Sequence, residues 1–190
     1  MEPAVGSHGG RIIIHAGDGI ELRAVSVAEA PMLYSAIHRN RAHLRRWLAW
    51  LHDDFDEKKL TEFVRAREAE NAARVSLTTN IWVSGALCGA IGLHAINVRD
   101  RNTSIGYWID EAYQGRGIMT RACRAIVTEG FRGYGMHRVE IRCATENARS
   151  AEIARRLGFV EEGILREAEW LYDHWTDLRV FSMMERDWKA

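Results

Sequence analysis

Neither an excess of one charge, nor a long apolar run, nor a paired cysteine motif occurs in this sequence of 190 residues. Its 26 basic and 26 acidic side chains cancel, which argues against general nucleic-acid binding because that function needs a positive surface. No apolar stretch is long enough to span a bilayer, and the first residues lack a basic-then-apolar signal pattern. We therefore expect no membrane partner.

The cysteine and histidine patterns argue against disulfide bonds and a bound metal ion. Cys88, Cys123 and Cys143 are odd in number, form no C-x-x-C pair and lie in apolar stretches, which indicates buried free thiols in a cytoplasmic protein. The eight histidines show no H-E-x-x-H or comparable spacing, so we expect no metal ion.

The residues that are present predict a single domain. Hydrophobic residues make up 47% of the chain, which is enough for a packed core. Residues 1–10 are interpreted as a flexible N-terminal tail, and residues 11–190 contain no repeat or linker that would divide them. Residues 11–17 and 20–25 are expected to form a hairpin around a Gly-Asp-Gly turn.

The next segment predicts two helices. Ser26 and Glu29 have the spacing of a capping box, which would begin the first helix. Its apolar face is predicted from Met32, Leu33, Ala36 and Ile37. Asp53 or Asp56 is expected to begin the second helix, whose helically spaced residues are Leu60, Phe63, Val64 and Arg67.

From residue 76 onward the pattern changes to that of strands. Residues 76–96 and 103–110 are rich in β-branched and aromatic side chains with glycine turns, which predicts antiparallel strands. A helix with a stripe of Met119, Cys123, Val127 and Phe131 follows, and an alternating strand covers residues 137–145. Asn147 then caps a short helix, and the chain closes with a strand, a variable loop near residues 170–176 and a last strand.

The segment YQGRGIMT, residues 113–120, joins a strand to a helix through two glycines. Glycines let backbone N–H groups approach a ligand, and a helix N-terminus adds a partial positive charge, so the loop suits a diphosphate. The Walker motif is excluded because its lysine is missing, and the dinucleotide fingerprint lacks its third glycine. What remains is the pattern Q-x-x-G-x-G/A, with Met119 in place of the last small residue.

At this loop the sequence resembles the GNAT superfamily of acetyl-CoA-dependent N-acetyltransferases. The segment NARSAEIARRLGF (residues 147–159) and the closing strand pair are further markers, and together they resemble the RimJ/RimL branch, which acetylates the α-amine of ribosomal proteins. The resemblance covers the chain from about residue 20 onward. It implies an α/β fold of the α+β type, with a mixed, mostly antiparallel central sheet flanked by helices.

The resemblance also implies where acetyl-CoA binds. The diphosphate is expected on the loop amides and the Thr120 hydroxyl, and the pantetheine arm on the end of the preceding strand, where that strand splays from its neighbour. An amide there would polarise the thioester carbonyl. The implied cofactor-binding residues are Tyr107, Trp108, Ile109, Gln114, Gly115, Arg116, Gly117, Ile118, Met119, Thr120 and Asn147.

Two side chains match catalytic positions of the branch. Ser150 corresponds to the serine proposed as general acid for the leaving thiolate, and Glu169 to the glutamate proposed as general base. An ordinary first-turn serine and an ordinary strand-edge carboxylate are the alternatives, and Glu167 competes for the second role.

The acceptor amine stays open between two classes. A protein N-terminus fits the spacing of the two catalytic candidates. A small amine, such as an antibiotic or a peptide-nucleotide, would instead stack on aromatic residues, for which the candidates are Trp47, Trp50, Trp170 and Trp175. A non-catalytic acyl-CoA-binding domain is the third alternative. Both a monomer and a homodimer are compatible with the sequence.

Overall fold

In the computed structural model the described residues are 5–8 and 11–189, and within them nine strands form one mixed sheet. The strands are β1 (Val5–His8), β2 (Arg11–His15), β3 (Ile20–Ala24), β4 (Leu77–Val83), β5 (Ala86–Asn97), β6 (Asn102–Ile109), β7 (Arg138–Ala144), β8 (Val160–Leu171) and β9 (His174–Met184). The α-helices are α1 (Ala30–Arg39), α2 (Arg41–Leu44), α3 (Glu57–Ala72), α4 (Ile118–Arg132) and α5 (Ala148–Arg156). Short 3-10 helices lie at Val27–Glu29, Glu111–Tyr113 and Glu185–Asp187.

The strand order is β1-β2-β3-β4-β5-β6-β7-β9-β8, and neighbouring strands are antiparallel except for β6 and β7. Those two strands are parallel because α4 carries the chain back across the sheet between them. The predicted fold class, a mixed and mostly antiparallel sheet flanked by helices, is therefore confirmed.

The helices cover the two faces of the sheet. On one face, α4 and α5 pack their apolar stripes on a large buried cluster that contains Ile126, Phe131 and Phe181. On the other face, α1 and α3 pack on a smaller cluster with Leu33, Leu60 and Trp82. The predicted stripe of α4 is buried, since a helical period of apolar residues places them on one side.

Val5–His8, within the predicted flexible tail of residues 1–10, form β1, whose backbone pairs antiparallel with β2; residues 1–4 and 9–10 lie outside the described residues. The tail as a whole stays a prediction. The predicted capping box does not form. The carboxylate of Glu29 accepts two hydrogen bonds from Arg11, at 2.7 and 2.5 Å, and is thereby held away from the Ser26 amide.

The early helices otherwise follow the predicted pattern in part. Leu33 and Ile37 are buried, whereas Met32 is half exposed because it lies off the apolar face of α1. Asp56 begins α3, and its carboxylate accepts a hydrogen bond from the Lys59 amide at 2.7 Å.

The predicted variable loop near residues 170–176 is instead a tight hairpin. Trp170 pairs with Trp175 and Leu171 with His174, so only two residues connect β8 to β9. One of them, Tyr172, has a φ of +60°, the left-handed conformation that such two-residue turns require.

Candidate active site

A gap opens in the sheet between β6 and β7. The two strands pair only over residues 102–105 and 138–141, although β6 continues to Ile109 and β7 to Ala144. Beyond the paired region, β6 stays bonded to β5 while β7 stays bonded to β9, so each strand leaves one edge without a strand partner. This is the splay that the resemblance implied.

The alternation of β6 identifies which backbone groups face the gap. The Asp110 amide donates to the Cys88 carbonyl of β5 at 2.8 Å, so residues 110, 108 and 106 direct their N–H and C=O groups toward β5. Tyr107 and Ile109 therefore direct theirs into the gap. Both of these amides are suited to bind an extended ligand arm or a thioester oxygen.

A second set of free amides lies at the start of α4. Gly115 and Gly117 have φ of +74° and +69°, and Gly117 is the N-cap of the helix. Among the described residues, none of the six amides from 115 to 120 donates a hydrogen bond to another protein group. Such a cluster of amides at a helix N-terminus binds anions and fits a diphosphate.

The side chains of this loop pack in the core or bond to neighbouring helices, whereas the backbone amides from 115 to 120 have no protein partner among the described residues. Ile118 and Met119 are buried in the core, which explains why a large residue is accepted at position 119. The Gln114 side chain bonds to the His43 ring at 2.7 Å and also accepts from Arg149, so it ties the loop to α2 and α5. Gln114 was predicted to bind the cofactor. Its side-chain carboxamide is instead hydrogen-bonded to these two protein side chains.

The cationic side chains of the loop also have protein contacts. Arg116 donates to the Ala112 carbonyl at 2.9 Å, and Arg121 donates to the Arg116 carbonyl at 3.0 Å. Arg121 pairs with Asp18 at 3.2 Å as well. Both guanidinium groups stay near the amide cluster and add positive charge to it.

Ser150 lies in the first turn of α5, where three interactions hold it. Its amide donates to Oδ1 of Asn147 at 3.1 Å, which confirms the predicted cap. Its hydroxyl oxygen is 2.8 Å from the Tyr107 hydroxyl, and that phenol also donates to the Ser150 carbonyl at 3.4 Å. Burial raises the pKa of Tyr107 well above its usual value, so the phenol stays neutral and remains a hydrogen-bond donor.

Glu169 owes its direction to an irregularity in β8. Leu165 pairs with Leu178 and Glu169 with Thr176, so three residues of β8 stand opposite the single residue Asp177 of β9. Glu169 consequently lies on the same face of the sheet as Leu178, and both residues line a cavity beside the gap. Burial raises the pKa of its carboxyl group.

The competing carboxylate is part of the bulge itself. Glu167 has a φ of +48°, and its amide donates to Asp177 at 2.7 Å. Its side chain is exposed and does not line the cavity. Geometry therefore separates the two glutamates, and Glu169 is the better candidate.

The gap opens into a cavity of about 900 Å³ between the sheet and helices α1 and α3. The walls near the gap include Glu169, Ser150, Asn147, Tyr107 and Trp108. Five predicted residues thus meet in one place, whereas the diphosphate loop lies outside this cavity.

The four tryptophans that were predicted as candidates for stacking on the acceptor fall into two groups. Trp47 and Trp50 line the cavity. Trp170 and Trp175 pack edge to face across the hairpin, with ring centroids 5.1 Å apart, and both are exposed. Those two rings therefore do not belong to a stacking pocket inside the cavity.

A polar end of the same cavity was not predicted from the sequence. Arg67 of α3, Thr78 and Asn80 of β4 and His94 of β5 line it. The available signal was the run of polar residues 78–80 in the otherwise apolar strand β4, but polarity alone does not reveal a shared cavity.

The family model of the acetyltransferase (GNAT) domain matches residues 20–160, which include strands β3 to β7, the gap between β6 and β7, and the amide cluster. The chain belongs to the GNAT acetyltransferase family. It is an N-acetyltransferase.

Relatives of this acetyltransferase match along most of their length. YdaF of Bacillus subtilis is 31% identical over 176 residues, 90% of this chain and 94% of YdaF. The ribosomal-protein-serine acetyltransferase of Escherichia coli is 28% identical over 169 residues, 89% of this chain and 94% of the relative.

Two solved structures show the same fold. The ribosomal alpha-N-protein acetyltransferase RimL, solved with coenzyme A, has a TM-score of 0.87 at 27% identity and covers 90% of this chain and 97% of its own. The microcin self-immunity acetyltransferase MccE, solved with acetyl-CoA and AMP, has a TM-score of 0.84 at 27% identity and covers 90% and 95%. No helix among the described residues of this acetyltransferase is long and apolar enough to cross a membrane.

Proposed function

We propose that this acetyltransferase transfers the acetyl group of acetyl-CoA directly to the α-amine of a protein N-terminus, with a ribosomal protein as the natural acceptor. The observation that carries the proposal is that Glu169 and Ser150 line one cavity at the sheet gap. The ribosomal-protein acetyltransferases among the relatives support this choice of acceptor. Such acceptors are made in the cytoplasm, which is the location we propose.

The free amides account for cosubstrate binding. Acetyl-CoA supplies an activated acetyl thioester. The amides of residues 115–120 would hold its diphosphate, and the gap-facing amides of Tyr107 and Ile109 would hold its arm. One of those two amides is placed to donate to the thioester oxygen, where negative charge develops.

The two catalytic side chains move the protons. Glu169 takes the proton that the amine loses as the N–C bond forms, directly or through one water. A carboxyl group with a raised pKa is a stronger base than an ordinary one, which suits this task. Ser150 gives a proton to the sulfur as the C–S bond breaks. Because the pKa of a thiol is about 8.5, this second transfer is helpful but undemanding.

A thiol-release assay with acetyl-CoA tests the proposal. The acceptors are a panel of peptides with free N-termini, the same peptides with blocked N-termini and an internal lysine, and small aromatic amines. We expect release with the free N-termini and an added acetyl group on the α-amine by mass spectrometry. Turnover of the aromatic amines without turnover of any peptide would overturn the proposed acceptor, because Trp47 and Trp50 line the cavity and offer the alternative.

A further inference from the structure

The inner end of the active-site cavity contains buried polar atoms without partners. Oγ1 of Thr78, Oδ1 of Asn80 and Nε of Arg67 have no hydrogen-bond partner among the described residues. Thr78 is 8% exposed and Asn80 is 1% exposed, and both line the cavity. An unpaired buried polar group costs about 1–3 kcal/mol, so three in one place call for an explanation.

The three groups are held firmly by their other atoms. The backbone of Thr78 exchanges two hydrogen bonds of 2.8 Å with the side chain of Asn71. Nδ2 of Asn80 donates to Glu29 at 3.2 Å, and the Arg67 guanidinium pairs with Glu70. Both β4 side chains line the cavity while their unpaired atoms are sheltered from bulk solvent. The Thr78 hydroxyl can pair with a group inside the cavity after rotation of its side chain, because only the backbone of Thr78 is held by Asn71.

Two glycines and the ring of His94 lie between the reacting end of the cavity and this polar end. Thr78 is the cross-strand partner of Gly92, and Gly92 is the partner of Gly106, which precedes Tyr107. A Cβ at Gly106 would meet the His94 ring at 2.9 Å, and one at Gly92 would meet the Leu77 carbonyl at 2.4 Å and the same ring at 3.4 Å. The His94 ring thus lies over both glycines, and an acceptor that reaches the polar end passes along this ring.

The chemistry of the polar end selects an uncharged group. Nε of Arg67 can only donate, Oδ1 of Asn80 can only accept, and the Thr78 hydroxyl can do both. A hydroxyl, a carboxamide or a peptide group can pair with each of these atoms, because each such group both donates and accepts. Arg67 is already paired with Glu70, and this neutral ion pair offers no net charge to a charged group of the acceptor.

Resting on the proposed function, we propose that Arg67, Thr78 and Asn80 form a specificity subsite for an uncharged hydrogen-bonding group of the acceptor. Neighbouring strands are about 4.8 Å apart, so the subsite lies about 10 Å across the sheet from β6. An extended peptide advances about 3.3–3.6 Å per residue. The recognised group thus belongs to the second or third residue of the acceptor, either as a side-chain hydroxyl or as the peptide bond between those residues.

Three synthetic acceptors separate the two sources. They are the tripeptides Ala-Ser-Ala and Ala-Ala-Ala, and an Ala-Ala-Ala analogue in which an ester replaces the second peptide bond. Turnover of Ala-Ala-Ala by the wild-type enzyme tests the proposed function itself. The differences among the three acceptors, measured in wild type and in Thr78→Val, test the subsite.

Thr78→Val keeps the shape of the side chain and removes the unpaired hydroxyl. We expect its KM to rise about tenfold for the acceptor whose polar group is recognised, and to stay unchanged for the matched acceptor that lacks the group. Its acetyl-CoA affinity should not change, and its Tm should be equal to or above that of wild type, because an unpaired polar group is lost.

Thr79→Val is the matched control. Thr79 is fully buried on the opposite face of β4, and its hydroxyl donates to the Ile91 carbonyl at 2.7 Å. This variant should lose stability and keep the wild-type KM for all three acceptors. Equal effects of Thr78→Val on all acceptors, no effect on any, or a lower Tm would each overturn the subsite.

Discussion

The hydroxyl oxygen of Tyr107 lies 2.8 Å from that of Ser150, although the two residues are 43 positions apart in the sequence. The neutral phenol can donate to Oγ of Ser150, which leaves the serine proton free for the leaving sulfur. We therefore expect Tyr107 to position Ser150 through its side chain and to bind the cosubstrate through its backbone.

Replacing Tyr107 with Phe keeps the ring packing and removes this hydrogen bond. We expect kcat to fall about fivefold, with little change in the KM for acetyl-CoA, because one hydrogen bond is worth about 1 kcal/mol. Steady-state kinetics with varied acetyl-CoA check this split. The double variant with Tyr107→Phe and Ser150→Ala should have almost the same kcat as Ser150→Ala alone, since both side chains act on one proton.

Tyr134→Phe is the control for that experiment. Its hydroxyl donates to the Ser76 carbonyl at 3.2 Å, far from the cavity lining. The control should cost similar stability and leave kcat intact. Equal losses of kcat in the two variants would show that Tyr107 is structural.

Replacing Glu169 with Gln should lower kcat by about 10²–10⁴-fold near neutral pH and by less above pH 8, where the α-amine is already unprotonated. The pH profile of kcat measures this. Glu167→Gln removes the exposed neighbour in the bulge and should change kcat less than twofold. A loss below tenfold for Glu169→Gln at every pH would contradict its role as base.

The same substitution also has an effect on stability that depends on pH. Burial raises the pKa of Glu169 in the folded protein, so the folded state holds this proton more tightly than the unfolded state. The contribution of the group to stability is therefore fully present below the unfolded pKa, about 4.3, and is lost as the pH rises through the folded pKa. The Tm of Glu169→Gln should match wild type near pH 4 and exceed it near pH 7 in thermal melts.

Replacing Gly117 with Asp places a carboxylate beside the proposed diphosphate site and should weaken coenzyme A binding at least tenfold by calorimetry. Gly135→Asp is the matched control, because Gly135 has a φ of +66°, close to the +69° of Gly117, but follows the opposite end of α4. Both variants carry the same backbone strain. Unchanged affinity of Gly117→Asp would remove the diphosphate site from this loop.

Replacing both Trp170 and Trp175 with Leu removes the edge-to-face aromatic pair of the hairpin. Such a pair contributes about 0.5–1.5 kcal/mol, so the Tm should fall. Because neither ring lines the cavity, kcat/KM for the acceptor should stay within twofold. Trp50→Leu is the comparison, since Trp50 lines the cavity, and its acceptor KM should rise. A collapse of activity in the double variant alone would place the acceptor on the hairpin.

The parts of the fold that were predicted correctly are those set by short-range rules. The α4 stripe, the Asn147 cap and the hairpin after β2 depend on residues within four positions of one another. The capping box failed although its spacing was right. A distant cation, Arg11, claimed the Glu29 carboxylate, and no local pattern reveals such a partner.

The active site shows the same division. The loop of residues 113–120 could be predicted because glycines and a helix start have a local signature. The preference for Glu169 over Glu167 depends on a bulge in β8 that only the pairing with β9 defines. The Tyr107–Ser150 contact and the polar end of the cavity join residues from separate strands and helices, which only the folded chain brings together.

The four paired positions between β6 and β7 have a consequence for the motions of the protein. They are the only backbone ladder that joins the β1–β6 part of the described sheet to the β7–β9 part. A short ladder beside an open gap is where two halves of a sheet separate most easily, so its amides should exchange with deuterium before those of β4 and β5. A ligand that spans the gap bonds to both halves at once and would slow that exchange. We therefore expect bound acetyl-CoA to hold the two parts of the sheet together. Without it, the sheet should open most readily beside the proposed active site.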